Sequence, residues 1–421
     1  MAEGFRAAPG PASGAARIEA AREYFPKKTI EEVDVKGRRV LVRVDFNVPL
    51  DGDRVVDDSR IRAALPTIEL LRKRGARVIL ASHLGRPKGR RLPEVSLKPV
   101  AARLAELLDT DVRFMDSTVD GDVLETAEAL EDGRIMFLEN LRFNEGESAN
   151  DPFFAKKLAG LAEVFVNDAF GVAHRAHAST VGVTEHLPSV AGLLLEKEVS
   201  VIKQFLETPK RPFIACLGGN KISDKLKVID SFLDIVDGIV AGGGMCFTFL
   251  KAKGYNIGSS IVELDQLEAA RAMMEKARRK KVNLYLPTDM IAATEISESA
   301  DYKLVAADSI PEGWLGLDIG PETIDIFSQV LISAKTVFWN GPMGVFELAQ
   351  FAQGTKAVAQ AISEATGYGS LTIVGGGDSL AALKTFDLEN KVSFASTGGG
   401  ASLKILEGRA LPGVEALEDR K

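Results

Sequence analysis

From residue 36 onward, apolar residues fall into short, nearly unbroken runs, and between these runs they recur at helical spacing. Arg39-Val40-Leu41-Val42-Arg43-Val44 predicts a strand that ends in Asp45-Phe46-Asn47. Asp58 or Ser59 then caps a helix with Ile61, Leu65, Ile68 and Leu71 on one face; Gly75 closes it and Pro66 is set to kink it. Val78-Ile79-Leu80-Ala81 is the next strand, followed by strands at Val112–Met115, Ile135–Leu138 and Val164–Val166. Helical stretches lie between them near Lys98–Leu108, Val123–Leu130 and Phe153–Leu161. Strands that are apolar throughout, on a βαβα rhythm, predict parallel sheets covered on both faces.

Ala191 to Phe205 reads as one long helix, broken by Glu207-Thr208-Pro209-Lys210-Arg211-Pro212. Beyond it the rhythm restarts, now with strand exits made of glycine. Phe213–Leu217 runs into Gly218-Gly219-Asn220-Lys221, and Gly238–Ala241 into Gly242-Gly243-Gly244. Thr336–Trp339 runs into Asn340-Gly341-Pro342, and Val392–Ala395 into Ser396-Thr397-Gly398-Gly399-Gly400. A fifth exit, Leu371-Thr372-Ile373-Val374-Gly375-Gly376-Gly377-Asp378-Ser379, opens a further helix. Glycines let the backbone approach a bulky anion, and the first amides of the new helix point at it. Asp378 makes sense beside a phosphate if a divalent cation lies between them. Taken alone, the stretch equally admits a tight turn capped by Asp or Ser.

Composition narrows the classes. The 421 residues suit two or three domains, and many aliphatics with few aromatics suit α/β layers. A formal net charge of −7 argues against nonspecific nucleic-acid binding. Both cysteines, Cys216 and Cys246, sit in or beside apolar runs and read as buried free thiols, which points to a cytoplasmic setting. No uncharged apolar run approaches a bilayer span, so no membrane partner is expected.

Candidate chemistry is divided unevenly. All four histidines (His83, His174, His177, His186) and the loop arginines Arg60, Arg86, Arg142 and Arg175 lie in the first half. That half suits a small, strongly anionic molecule held by guanidinium forks. The second half suits a nucleotide held by backbone amides. Two anion sites imply a reaction between their ligands, and phosphoryl transfer is the natural candidate. The chain has no Walker A loop, G-x-G-x-x-G fingerprint, protein-kinase motif pair or metal-ligand spacing of Cys and His.

Val42-Arg43-Val44-Asp45-Phe46-Asn47-Val48-Pro49, Ser82-His83-Leu84-Gly85-Arg86-Pro87 and Glu139-Asn140-Leu141-Arg142-Phe143 resemble the phosphoglycerate kinase family. So do Asn167-Asp168-Ala169-Phe170-Gly171, the stretch Ala173 to Thr180, Trp339-Asn340-Gly341-Pro342, and the GGGDS and STGGGAS stretches, all in order and with compatible spacing. The resemblance implies an α/β fold of two doubly wound parallel-sheet (Rossmann-like) domains joined by a long hinge helix. The expected layout is a disordered extension over 1–26, an acid-binding domain over 27–190, an inter-domain helix over 191–207, a nucleotide domain over 208–405, and a tail over 406–421 returning to the first domain.

The implied reaction moves a phosphoryl group between 1,3-bisphosphoglycerate and MgADP, giving 3-phosphoglycerate and MgATP, in a monomer. Carried over by position, Asp45, Asn47, Arg60, His83, Arg86, Arg142 and Arg175 would hold 3-phosphoglycerate, with Arg43 near the reacting end. His174 and His177 read first as loop ties. Gly218, Gly219, Lys221, Lys225, Gly242, Gly243, Gly316, Leu317, Asn340, Glu347, Gly376, Gly377, Asp378 and Ser379 would border the nucleotide, and Asp378 would hold Mg²⁺. Arg60, Lys225 and the amides of Gly375, Gly376 and Gly377 would carry the catalysis. Lys221 and Lys225 are four apart and share a face if a helix starts near Ser223, although a solvated lysine pair fits as well. Asn220 departs from the family pattern, where a smaller residue is common.

Overall fold

The computed structural model describes residues 21–420. These form two compact units, one of Ala21–Lys203 with Gly400–Ile405 and the chain from Arg409 onward, the other of Gln204–Gly399 with Leu406–Gly408. In the first unit a six-stranded sheet runs in the order Val112–Phe114, Ile135–Phe137, Arg77–Ala81, Arg39–Arg43, Val164–Asn167, Ser189–Ala191, with every pairing parallel. Val40, Val42, Val78, Leu80, Phe137 and Val166 are wholly buried in its core. The winding direction reverses between Arg39–Arg43 and Val164–Asn167, which places the ligand crevice of such a sheet beyond those two strand ends.

The second unit has a six-stranded parallel sheet in the order Asn283–Tyr285, Gly238–Ala241, Phe213–Leu217, Thr336–Asn340, Leu371–Gly375, Phe394–Ser396. Its reversal lies between Phe213–Leu217 and Thr336–Asn340, whose exits are Gly218-Gly219 and Gly341-Pro342. A three-stranded antiparallel sheet (Tyr302–Ala306, Asp289–Ala293, Leu315–Ile319) is inserted before the fourth strand of the large one.

Several expectations shift. The run expected as helix from Ala191 begins as a strand, Ser189–Ala191, and the helix is Leu193–Glu207. Gly192 separates the two, and Asp168 caps the helix start by accepting from the amides of Leu194 (2.9 Å) and Leu195 (3.2 Å). The extension expected over 1–26 lies outside the described residues as far as residue 20. Residues 21–26, however, pack into the first unit: Ala21 and Phe25 are buried, and Arg22 pairs with Glu196 at 2.8 Å. Apolar Phe25 supplies the burial that a polar tail would lack. In the same unit, the Lys27 ammonium meets Asp419 at 2.7 Å, and the Gly413 amide donates to Ala173.

The helix expected near Ser223 begins only at Leu226, with Lys225 at its N-cap. Lys221 therefore precedes the helix, and the shared-face argument for the lysine pair fails. Ser223 is held outside the helix by Glu263, which takes its amide and its hydroxyl.

Candidate active site

In the first unit the strand exits bring together residues far apart in sequence. Asp45 and Asn47 follow Arg39–Arg43, and His83 follows Arg77–Ala81. The Arg60 guanidinium, from the first turn of the Ser59–Lys73 helix, donates to Asp45 Oδ2 (3.0 Å) and to the Asn47 carbonyl (3.3 Å). Asn47 Oδ1 accepts the Gly85 amide at 2.8 Å, and Arg142 Nη1 donates to the Gly85 carbonyl at 2.7 Å. Arg175 Nε donates to His174 Nε2 at 3.2 Å. Arg86 extends from the same loop into solvent, with no hydrogen bond or ion pair to its side chain among the described residues.

Arg43 is wholly buried. It donates to Ser179 Oγ (2.8 Å) and to the Val44 carbonyl, and its Nη2 lies 3.1 Å from His83 Nδ1. A guanidinium can only donate, so His83 Nδ1 accepts and Nε2 keeps the proton, free to donate elsewhere. Burial first, then the charges of Arg43, Arg142, Arg60 and Arg175, hold the His83 pKa well below the usual histidine value. Burial and the like charges of Arg43 and Arg175 also bring Arg142 down to about 10. Asp45 and buried Glu147 are the carboxylates that temper these cations. Glu147 is itself engaged by the Ser179 hydroxyl (2.7 Å), and His177 Nδ1 lies 3.4 Å from it without a hydrogen bond. The cluster thus carries an excess of positive charge at a strand-end crevice, where an anion relieves the repulsion.

In the second unit a cavity of about 680 Å³ opens at the reversal point. That size is ordinary for a small-ligand site. Gly219, Gly243, Gly316, Leu317, Glu347 and Asp378 of the expected set line it. Gly218 and Gly242 stand behind the wall: a Cβ on Gly218 would sit 2.1 Å from the Pro342 carbonyl, and one on Gly242 2.5 Å from Met343 Sδ. These glycines let two strand exits meet backbone to backbone.

Asn340, Gly375, Gly376 and Ser379 form one junction beside the cavity. Asn340 Nδ2 donates to the Gly375 carbonyl (2.6 Å), and Ser379 Oγ accepts the Gly341 amide (2.7 Å). Gly375 is buried in the sheet, paired with Ser396, whereas Gly376 and Gly377 open the Gly377–Thr385 helix with no side chain capping it. Asp378 lies in that helix's first turn, exposed, without a hydrogen bond or ion pair among the described residues. Burial lowers the Lys225 pKa to about 8 against the pull of Asp224 and Asp378, which places Lys225 within electrostatic reach of Asp378. Lys221 is exposed.

Phe247, Met290 and Met343 also line the cavity and were not expected there. Phe247 lies in the Cys246–Ala252 helix, buried along most of its length, so its pattern reads as core. No local pattern marks it; in the fold, a Cβ on Gly316 would fall 2.3 Å from Phe247 Cζ. No group of three or more His, Cys, Asp or Glu side chains able to hold a metal occurs among the described residues. No helix among them is long and apolar enough to cross a membrane.

Comparison with known families matches residues 30–409 to phosphoglycerate kinase. The chain belongs to the phosphoglycerate kinase family. Among solved structures it is similar to the phosphoglycerate kinase from Coxiella burnetii, with a TM-score of 0.84 and 41% identity over 93% of this chain and 98% of that one. It is also similar to the phosphoglycerate kinase from Pyrococcus horikoshii OT3, with a TM-score of 0.82 and 30% identity over 93% and 98% of the two chains. Membership explains why two doubly wound units stand in one chain, and it makes the enzyme a phosphotransferase.

Proposed function

We propose that each unit supplies one substrate site of the family's reaction, and that the residues above divide the work as follows. The enzyme is a phosphoglycerate kinase, moving a phosphoryl group reversibly between 1,3-bisphosphoglycerate and ADP. Arg60, Arg142, Arg175 and Arg86 bind the phosphate and carboxylate ends of 3-phosphoglycerate. Neutral His83 donates from Nε2, and Asp45 and Asn47 orient the hydroxyl. The observation that carries this assignment is the convergence of Arg43, Arg60, Arg142 and Arg175 around buried His83, with Arg43 Nη2 3.1 Å from its Nδ1, a gathering of cations that is costly without an anion to complete it.

The nucleotide base lies in the cavity between Gly316-Leu317 and Gly243, with Glu347 toward the ribose. Its phosphates reach the free amides of Gly376 and Gly377, with Lys225 at the transferred group. Asp378, a carboxylate without a protein partner beside a phosphate cradle, suits Mg²⁺, which takes one or two carboxylates plus phosphate oxygens. The ion, when bound, neutralises phosphate charge.

In the direction of ATP use, the attacking group is a carboxylate, already ionised at neutral pH, so no general base is required. Arg60 and Lys225 then act by alignment and by neutralising the migrating group. We assign the Leu193–Glu207 helix as the hinge that lets the two sites be brought into line and water be excluded. A monomeric, cytoplasmic enzyme is part of the same proposal.

Calorimetric titration of Arg142→Met and Lys225→Ala tests the division. The first should lose 3-phosphoglycerate binding and keep ATP, and the second the reverse. Loss of both ligands in either variant would contradict it.

A further inference from the structure

Asp318 follows Gly316 and Leu317 on the Leu315–Ile319 strand but faces away from the cavity. Its Oδ2 accepts the Gly354 amide at 2.7 Å, and its Oδ1 accepts the Ile319 amide at 2.9 Å. The carboxylate is buried, and its hydrogen bonds come from backbone amides alone. Gly354 belongs to the first turn of the Gln353–Gly367 helix, so the carboxylate caps a helix distant in sequence. Its seat is closely fitted. A Cβ on Gly344 would lie 2.4 Å from Asp318 Oδ1, and one on Gly354 2.3 Å from it.

The same helix turn holds the opposite wall. Thr355 Oγ1 accepts the amides of Met343 (3.0 Å) and Gly344 (3.3 Å), and the Val345 amide donates to the Leu317 carbonyl at 2.9 Å. Leu317 and Gly344 both line the cavity, so one helix start fixes both walls. We propose that Asp318 is a positioning residue for nucleotide binding: it pins the strand bearing Gly316 and Leu317 to the helix start that also holds Met343 and Gly344, and so sets the width of the slot. The inference rests on the reading of this cavity as the nucleotide site.

An Asp318→Asn change keeps the size but turns an amide donor toward backbone donors or forfeits one bond. Burial raises the Asp318 carboxyl to about 7, so the expected effect is that of leaving buried amide donors without their acceptor, about tenfold. The test is calorimetric binding of ADP and of 3-phosphoglycerate to the full-length chain and its variants. Asp318→Asn should weaken ADP about tenfold and leave 3-phosphoglycerate unchanged. Asp168→Asn, which removes a buried helix-capping carboxylate in the other unit, should leave ADP affinity unchanged. If Asp318→Asn does not fold, Gly354→Ala decides, because its methyl group displaces the carboxylate while the residue lies outside the cavity wall. Gly316→Val, whose side chain meets Phe247, must weaken ADP if the base lies in this slot. Should Gly316→Val fail while Asp318→Asn and Gly354→Ala bind ADP like the parent, the positioning role is overturned. Should Gly316→Val itself bind ADP normally, the nucleotide reading of the cavity falls, and the inference with it.

Discussion

The Asn340 side chain donates to the carbonyl of Gly375 at 2.6 Å, locking the exits of two neighbouring parallel strands together. Gly376 follows at a φ of +97°, where a Cβ would stand 2.6 Å from Asn340 Nδ2. The turn that frees the first amides of the Gly377–Thr385 helix therefore depends on Asn340 and on a glycine at 376.

Asn340→Ala should cost about 1–3 kcal/mol in urea unfolding, since it leaves the carbonyl of Gly375 without its donor. Gly376→Ala should cost a comparable amount and also raise the KM for ADP, because the turn must open to accept a methyl group. Unchanged unfolding in both variants would show that the junction is not structural.

Lys225 sets a limit on the alkaline side. Its ammonium, brought to about 8 by burial, loses its charge as pH rises through that value in the unligated enzyme. The kcat/KM for ADP should fall above that pH. Lys225→Arg should remove that fall while lowering the rate, because a guanidinium stays charged but does not match an ammonium's position. A profile that stays flat well into the alkaline range in the parent enzyme would contradict this.

Two buried groups pull the pH dependence of stability in opposite directions. His83, held well below its usual value, binds fewer protons folded than unfolded. Its contribution is complete above the unfolded value of about 6.5 and is lost as pH falls below it. The Asp168 carboxyl, pushed up to about 6 by burial, keeps a proton in the folded protein after the unfolded chain has released it. Its contribution is therefore lost as pH rises from about 4 toward that value. Urea unfolding across this range should show less acid loss in His83→Asn and a steeper one in Asp168→Asn. Curves parallel to the parent in both variants would refute the assignments.

The cationic cluster should respond to its ligand. Arg142, lowered by burial and by Arg43 and Arg175, gains a counter-charge when an anion binds. 3-Phosphoglycerate should raise the Tm of the parent, less so at high salt. Arg142→Met should abolish most of that rise and increase the KM for 3-phosphoglycerate about tenfold or more. An undiminished shift in the variant would exclude Arg142 from the site.

Five of the six strands of each parallel sheet were legible because strands buried on two faces are written as apolar runs, as in Val78 to Ala81 and Phe213 to Leu217; the edge strands Ser189–Ala191 and Asn283–Tyr285 are too short to carry that signal. The cationic cluster was legible as polar residues at strand ends. The antiparallel sheet around Asp289–Ala293 was not, since Asp289-Met290-Ile291-Ala292-Ala293 shows neither alternation nor glycine punctuation of the kind seen elsewhere. Lys221 misled because a spacing of four implies a shared face only inside a helix, and Glu263 holds Ser223 out of one. Asp168, Asp289 and Asp318 all serve as caps for helices far along the chain, and local pattern carries no trace of such partners.

The central claim is that this chain transfers a phosphoryl group between ligands held by separate clusters. Coupled measurement of ATP formation from 1,3-bisphosphoglycerate and ADP, with the parent, Arg60→Ala and Lys225→Ala, tests it most directly. Turnover in the parent and a loss on the order of 10²-fold or more in each variant is the expected result. A parent that leaves the acyl phosphate untouched, or variants that match it, would contradict the account.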